Sequence, residues 1–156
     1  MDARSWRKFF PVKLKVAWIG KTKEPAIQSL TEEYLKRLGR YVPVEGVVLK
    51  DEGTLMDWGG AKPRRYTIVL LDSGGKQLSS EELAKFLGDY QDRNPLPLVF
   101  AVGPADGFSD QARGAASMVL SLGKMTLAHE LARVVLLEQL YRAFTILKGH
   151  PYHSGH

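Results

Sequence analysis

Two uninterrupted apolar runs constrain the fold more than any other feature of the chain: TIVLL at residues 67–71 and LVFAV at residues 98–102. Short runs without polar alternation are typical of strands that are buried on both faces of a parallel sheet. Parallel strands need crossover connections, which are usually helices. The segment between the two runs fits a helix, because Ser79 and Glu82 form a capping box ahead of apolar residues at helical spacing. The sequence therefore predicts an α/β fold with a mostly parallel sheet flanked by helices.

The first third of the chain repeats this strand–helix alternation. VKLKVAWIG is predicted to be the first strand, and YVPVEGVVLK a short second strand in which Pro43 favours an edge position. A helix is predicted between them, with Pro25 in its first turn and Gly39 at its end. Residues 51–65, DEGTLMDWGGAKPRR, contain three glycines and mixed charges and are interpreted as an exposed loop.

The second half contains three loops near the ends of predicted strands: two follow the buried strands, and the third lies around the predicted last strand. SGGKQL is interpreted as a turn, and Ser109 as the cap of a helix with the sequence DQARGAASMVL. GKMTL is predicted to be a last short strand, and the rest of the chain a long C-terminal helix. In open parallel sheets, ligands bind beyond the carboxyl ends of the strands. Residues 72–75, 103–107 and 122–127 are therefore the candidate ligand loops.

Composition limits the functional class. The chain has 156 residues, which suggests one domain. The absence of cysteine excludes disulfides and cysteine-ligated zinc. No run is long enough to span a membrane or has the form of a signal peptide, so a cytoplasmic protein without membrane contact is expected. A net charge of +5 suits an anionic partner.

The glycine loops and the histidines each allow two interpretations. Gly103 and Gly107 in AVGPADGFS could present backbone amides to a ligand or could simply form a tight turn, since the motif is neither a Rossmann fingerprint nor a P-loop. His129 is either a functional group or a polar residue at a helix start. The histidines of the tail, His150, His153 and His156, lack the rigid carboxylate or thiolate partners of a usual zinc or iron site, so no metal site is predicted.

The C-terminal helix has an apolar face too broad for one neighbour. Either its own sheet and helices or a second subunit could cover that face. Glu138 and Arg142 are spaced to form an ion pair on it. The chain has no Ser-His-Asp order, paired-carboxylate motif or metal signature, so a nucleophilic hydrolase is poorly supported.

The C-terminal block closely resembles the RlmH family of SPOUT methyltransferases. The similarity lies in VGPADGFS and SLGKMTLAHELARVVLLEQLYRAFTILKGHPYH, is supported by LDSGGKQLSSEELAKFL and LKVAWIGKTKEPAI, and extends over the chain from about Val12. It implies a single domain at residues 12–156. Residues 1–11 are then either an N-terminal extension that we expect to be disordered or the result of an early start codon. This resemblance implies a C-terminal trefoil knot, a homodimer and S-adenosylmethionine as methyl donor. It also implies methylation at N3 of a pseudouridine in the decoding-region stem-loop of 23S ribosomal RNA, within assembled ribosomes.

The resemblance also implies site residues. The implied reaction needs an imidazole that accepts the proton of the ring nitrogen or a basic group that favours the anion, and the candidates are His153, His129 and Arg142, with Tyr152 as a stacking or positioning residue. The family's cofactor contacts correspond to Leu71, Gly103, Gly123, Lys124, Met125, Thr126, Leu127 and Ala128.

Three positions depart from the family pattern. Pro104 replaces a glycine and lacks an amide donor, Ala128 replaces a proline, and Ser154 replaces a basic residue of the tail. A ribosome- or RNA-binding module without catalysis is therefore the main alternative. A methyltransferase for another RNA and a metal hydrolase are weaker alternatives.

Overall fold

The computed structural model describes residues 13–60 and 63–154, without the side chains of His153 and Ser154. The predicted N-terminal extension and His156 lie outside the described residues. The elements, in chain order, are β1 (Leu14–Ile19), α1 (Pro25–Leu38), β2 (Val44–Leu49), α2 (Gly53–Gly60), β3 (Thr67–Gln77), α3 (Ser80–Arg93), β4 (Leu98–Val102), α4 (Asp110–Ala115), β5 (Met118–Ser121), α5 (His129–Lys148) and a 3-10 helix (Pro151–Ser154).

The five strands form one sheet in the order β2-β1-β4-β3-β5, and every neighbouring pair is parallel. This confirms the predicted α/β class, and β2 lies at an edge as Pro43 indicated. The register places both Trp18 and Leu71 opposite Val102. The pairing of β1 and β3 with β4 therefore stops at the same level, and the segments that follow, including residues 72–75 of β3, share one edge of the sheet.

Helices cover both faces of the sheet because its strands are apolar on both sides. On β1, Leu14, Val16 and Trp18 face a core shared with α1, α3 and α5. Ala17 and Ile19 face the opposite side, where α2 and α4 pack. β1, β4 and residues 67–71 of β3 are thus buried on both faces, as the uninterrupted apolar runs of β3 and β4 predict, whereas the edge strand β2 is largely exposed.

The exposed loop predicted for residues 51–65 is wrong for its first part, which forms α2. The Asp51 carboxylate accepts the Gly53 N–H at 2.9 Å and starts the helix. Leu55 is buried against the sheet, and the Trp58 ring packs on Tyr66 with centroids 4.9 Å apart. Tertiary burial of this apolar face outweighs the low helix propensity of the glycines.

Three predictions in the second half need correction. The helix predicted over DQARGAASMVL ends at Ala115, and Met118–Ser121 forms β5. The strand predicted for GKMTL is wrong, because residues 122–128 form an irregular loop. SGGKQL is not a simple turn either. Strand β3 leaves the ladder at residues 72–75 and returns to it, with Leu71 and Lys76 both opposite Leu120.

The long C-terminal helix is confirmed. It ends at Gly149, whose φ of +71° is left-handed. Helix α5 packs against α1 and α3, which bury Leu136, Leu140 and Phe144 completely or almost so. Its own chain therefore covers most of its apolar face. None of the helices in the described part is long and apolar enough to cross a membrane. The trefoil knot stays a prediction.

Candidate active site

The structure brings the three predicted ligand loops together around one cleft of about 330 Å³ at the carboxyl edge of the sheet. Residues 71–73 form one wall, residues 102–108 the second, and the loop at residues 122–128 the third. His129 and Ala132 close the cleft from the first turn of α5. The cleft lies at the ends of the central strands, where an open parallel sheet places its ligands.

Most of the predicted cofactor contacts line this cleft. They are Leu71, Gly103, Gly123, Met125, Thr126 and Leu127. Lys124 and Ala128 belong to the same loop but do not line it. Ala128 is instead the N-cap of α5, with no side-chain cap. The loop turns at Gly123, where φ is +146°, and the Ser121 hydroxyl accepts the Gly123 N–H at 3.0 Å.

The wall formed by residues 71–73 carries a fixed negative charge. One carboxylate oxygen of Asp72 accepts the Gly74 N–H at 3.0 Å, and the other accepts a hydrogen bond from Arg113 at 2.5 Å. Arg113 also pairs with Asp110. The backbone N–H of Gly74, followed by Arg113, holds the pKa of Asp72 below its ordinary value. Asp72 is therefore ionised throughout the neutral range.

The second wall is a tight turn packed on an aromatic ring. The Gly107 N–H donates to the Pro104 carbonyl at 2.9 Å, and Gly107 has a φ of +81°. A Cβ on Gly103 would lie 3.1 Å from the Phe108 ring. Gly103 thus allows the buried Phe108 to pack directly behind the cleft. The interpretation as a tight turn is confirmed, and the turn also lines the cleft, whereas the binding of a ligand by its backbone amides stays a prediction.

The predicted catalytic residues lie at two separate places. His129 lines the cleft, whereas Arg142 lies thirteen residues further along α5, which is about 20 Å along the helix axis. No side chain spans that distance. Within one chain, the structure does not bring His129 together with Arg142 or with Tyr152. The side chain of His153 is outside the described part.

Arg142 and Tyr152 belong to a cluster at the far end of α5. Arg142 Nε donates to Glu138 at 2.9 Å, which confirms the predicted pair, and Tyr152 donates to the same carboxylate oxygen at 3.3 Å. The Arg142 guanidinium lies 5.0 Å from the Tyr152 ring centre. Burial, the contact with Tyr34 and the charge of Glu138 raise the pKa of Tyr152. Its phenol is therefore neutral under physiological conditions.

Sequence reasoning missed Phe108, Arg113 and Ala132 of the cleft, and it included Asp72 only as part of the candidate loop at residues 72–75. A polar residue that directly ends a buried strand was the available indication for Asp72. Nothing in the sequence pairs Asp72 with Arg113, which is 41 residues away. Within the part of the chain that is described, no group of three or more histidine, cysteine or acidic side chains could hold a metal ion.

Comparison with known proteins identifies the family. Residues 12–153 match the family described as predicted SPOUT methyltransferase. A protein of Koribacter versatilis (strain Ellin345) named ribosomal RNA large subunit methyltransferase H is 58% identical over 146 residues, covering 93% of this chain and 100% of that protein. The chain belongs to the ribosomal RNA large subunit methyltransferase H family of SPOUT methyltransferases. A member from Geotalea daltonii is 41% identical over 152 residues, covering 91% of this chain and 99% of that one.

Solved structures agree with the family's fold. The SpoU methyltransferase AviRb of Streptomyces viridochromogenes, solved with AdoMet, has a TM-score of 0.53 and 16% identity. The match covers 90% of this chain and 61% of AviRb. A probable methyltransferase of Bordetella pertussis Tohama I has a TM-score of 0.54 and 11% identity, with 88% and 98% of the two chains covered. At these identities the likeness concerns the fold alone.

Proposed function

We propose that this protein transfers a methyl group from S-adenosylmethionine to N3 of a pseudouridine in the decoding-region stem-loop of 23S ribosomal RNA. The substrate is the assembled ribosome, and the reaction takes place in the cytoplasm. The observation that carries the proposal is the convergence of three loops on one cleft, in a chain of this family. The relatives' names specify ribosomal RNA of the large subunit as their substrate.

The cleft fits the proposed cofactor. Its volume of about 330 Å³ falls within the range of small-molecule sites. Apolar side chains such as Leu71, Val102 and Leu127 suit an adenine ring, while Asp72 and Thr126 offer polar groups for a ribose or an ammonium. Gly103 has no side chain, so the cleft wall consists of bare backbone where Gly103 packs against the Phe108 ring.

The reaction requires few catalytic groups from the protein. Bound S-adenosylmethionine supplies a methyl group that its sulfonium already activates for in-line displacement. The chain must position the target nitrogen and favour loss of its proton. His129 is the imidazole at the cleft wall and is our candidate to accept that proton. The raised pKa of Tyr152 makes a phenolate base unsuitable, so Tyr152 is proposed to stack on or orient the base.

We further propose that the protein acts as a homodimer with composite active sites. Arg142 and Tyr152 lie about 20 Å from His129 along α5, so they cannot serve the cleft of their own chain. In a two-fold dimer, the tail of one protomer can reach the cleft of the other. His153 and the cationic Arg142 would then contact the RNA beside the partner's cofactor.

The alternative is a ribosome-binding module without catalysis. One observation favours it: Pro104 lines the cleft and has no backbone N–H to offer a ligand. Both hypotheses predict ribosome binding. Only the enzyme binds S-adenosylmethionine and releases S-adenosylhomocysteine.

The test is turnover with labelled S-adenosylmethionine and two ribosome preparations, one lacking the family's methylation and one already methylated. We expect label transfer and stoichiometric S-adenosylhomocysteine only with the unmethylated ribosomes. Cofactor binding without transfer would indicate a different RNA substrate. A folded protein that binds ribosomes but not the cofactor would refute the enzyme and support the module.

A further inference from the structure

The described part of the chain contains one arginine that is completely buried, Arg133 in the second turn of α5. Its guanidinium donates to the Thr22 hydroxyl at 2.9 Å and to the carbonyls of Ile19 and Gly20, each at 3.1 Å. No carboxylate in the described residues forms an ion pair with it, and its Nε has no acceptor there. A buried cation with only neutral acceptors is costly, so its role needs an explanation.

Arg133 holds the loop between β1 and α1 (residues 20–24), called here the β1–α1 loop. Glu130, one turn earlier on α5, holds the same loop from its other end. Its carboxylate accepts the backbone N–H groups of Lys23 at 2.9 Å and Glu24 at 3.2 Å. The loop starts at Gly20, where φ is +92°. Two charged side chains of a single helix thus fix both ends of a five-residue loop.

The β1–α1 loop is connected to the cleft through the first turns of α5. It follows β1, whose Trp18 is opposite Val102, the residue before Gly103. Glu130 contacts the loop and is flanked on α5 by His129 and Ala132, which both line the cleft. The same turn of α5 therefore contacts the cofactor cleft on one side and the loop on the other.

The loop carries two exposed cations, Lys21 and Lys23. In the described part of the chain neither ammonium forms a salt bridge. Arg113, the cation that lines the cleft itself, is by contrast neutralised by Asp72 and Asp110. The lysines are thus free to bind an anion that approaches the cleft.

We propose that Lys21 and Lys23 bind backbone phosphates of the RNA substrate, and that Arg133 and Glu130 are positioning residues that hold these lysines in place beside the cleft. The inference rests on the proposed function, because an RNA base can reach the cleft only if its backbone passes the cleft mouth. Phosphate contacts of this kind contribute affinity and position without sequence specificity.

The experiment measures the Kd of the full-length protein for unmethylated ribosomes at 50 and 200 mM salt. The double variant K21A/K23A is compared with K13A/R93A. The control removes two exposed cations, just before β1 and at the end of α3, which lie at the amino edge of the sheet, opposite the cleft. Neither forms a salt bridge with another described residue. S-adenosylmethionine affinity and thermal unfolding are recorded for each variant.

We expect K21A/K23A to weaken ribosome binding while S-adenosylmethionine affinity stays unchanged. Each lost phosphate contact lowers the salt exponent by about 0.7 to 0.9, so the change in Kd over this fourfold salt range should be roughly tenfold smaller than in the wild type. K13A/R93A should retain the wild-type salt dependence. A wild-type Kd and salt dependence in K21A/K23A would overturn the proposal.

The positioning role is tested separately with Thr22→Val, which removes one acceptor of Arg133 but leaves the charge of the loop intact. We expect Kd to rise roughly threefold or more, the equivalent of one lost hydrogen bond, with an unchanged salt exponent. Wild-type binding by Thr22→Val would overturn the positioning role. If the wild-type protein binds ribosomes without transferring methyl groups, the proposed function is wrong. The ribosome affinity of K21A/K23A still tests whether the two lysines bind RNA phosphates.

Discussion

At the scale of single residues, Asp72 links the stability of the cleft to pH. Because its folded-state pKa lies below the ordinary value of 3.8, its contacts stabilise the protein above that value and are lost as the pH falls through the folded-state pKa. We predict that D72N is less stable than the wild type at pH 5–7. The difference in Tm should shrink as the pH falls below about 4. A difference that stays constant down to pH 3 would contradict the carboxylate's role.

Tyr152 gives a second prediction at this scale. Its raised pKa keeps the phenol protonated, so it cannot accept the proton of the target nitrogen near neutral pH. We predict that Y152F lowers kcat through the lost contact with Glu138 but leaves the shape of the pH–rate profile between pH 6 and 9 unchanged. Loss of the acidic limb in Y152F would identify the phenol as the base.

At the scale of elements, the bulge in β3 depends on a close backbone approach at Gly75. A Cβ there would lie 2.7 Å from the Val119 carbonyl carbon and oxygen. We predict that G75A lowers the free energy of unfolding by about 1–3 kcal/mol, because the backbone of β5 must move. The matched control is G74A, whose nearest atom would be 3.8 Å away and whose effect should stay within about 0.5 kcal/mol. Denaturant unfolding of both variants measures this, and equal effects would refute the argument.

At the start of α5, a substitution is predicted to raise the stability of the protein. Ala128 has φ −55° and ψ 138°, which proline can adopt, and its N–H makes no hydrogen bond in the described part of the chain. We predict that A128P stabilises the protein by about 0.4–1 kcal/mol, chiefly by restricting the unfolded chain. That corresponds to a rise in Tm of roughly 1–4 °C. A128P with a lower Tm than the wild type would show that the loop needs freedom at this position.

The elements also show which parts of the fold were predictable. β3 and β4 were recognised because burial on both faces leaves a continuous apolar sequence, and α3 because Ser79 and Glu82 do form the capping box. Helix α2 was missed because local glycine content suggested a loop, whereas burial of Leu55 decided the structure. Strand β5 was missed because its pairing with β3 is a long-range contact that no local pattern encodes.

The candidate site likewise has a part that the sequence predicts and a part that it does not. The cleft could be located because parallel strands end at one edge, so three loops distant in sequence had to meet. Asp72 pairs with Arg113, and Arg133 forms hydrogen bonds to the β1–α1 loop. Both contacts join segments that are far apart in the chain. Only the assembled fold reveals them.

At the scale of the whole molecule, a composite site predicts complementation between inactive variants. H129A removes a group of the cleft, and R142A removes a group of the distant cluster, so each homodimer should be inactive or strongly impaired. Exchange of protomers at equal amounts should restore about a quarter of the wild-type sites, since half of the dimers are mixed and each contains one intact site. Turnover of the mixture is the measurement. No recovery, despite demonstrated subunit exchange, would place all catalytic groups on one chain.

The most direct test of the central claim is to identify the methylated nucleoside. Ribosomes lacking the family's methylation are incubated with the protein and labelled S-adenosylmethionine, and the digested 23S ribosomal RNA is analysed by mass spectrometry. We predict that the label is found in N3-methylpseudouridine. Label in another nucleoside, or no label from a folded protein that binds both the cofactor and the ribosome, would contradict the account.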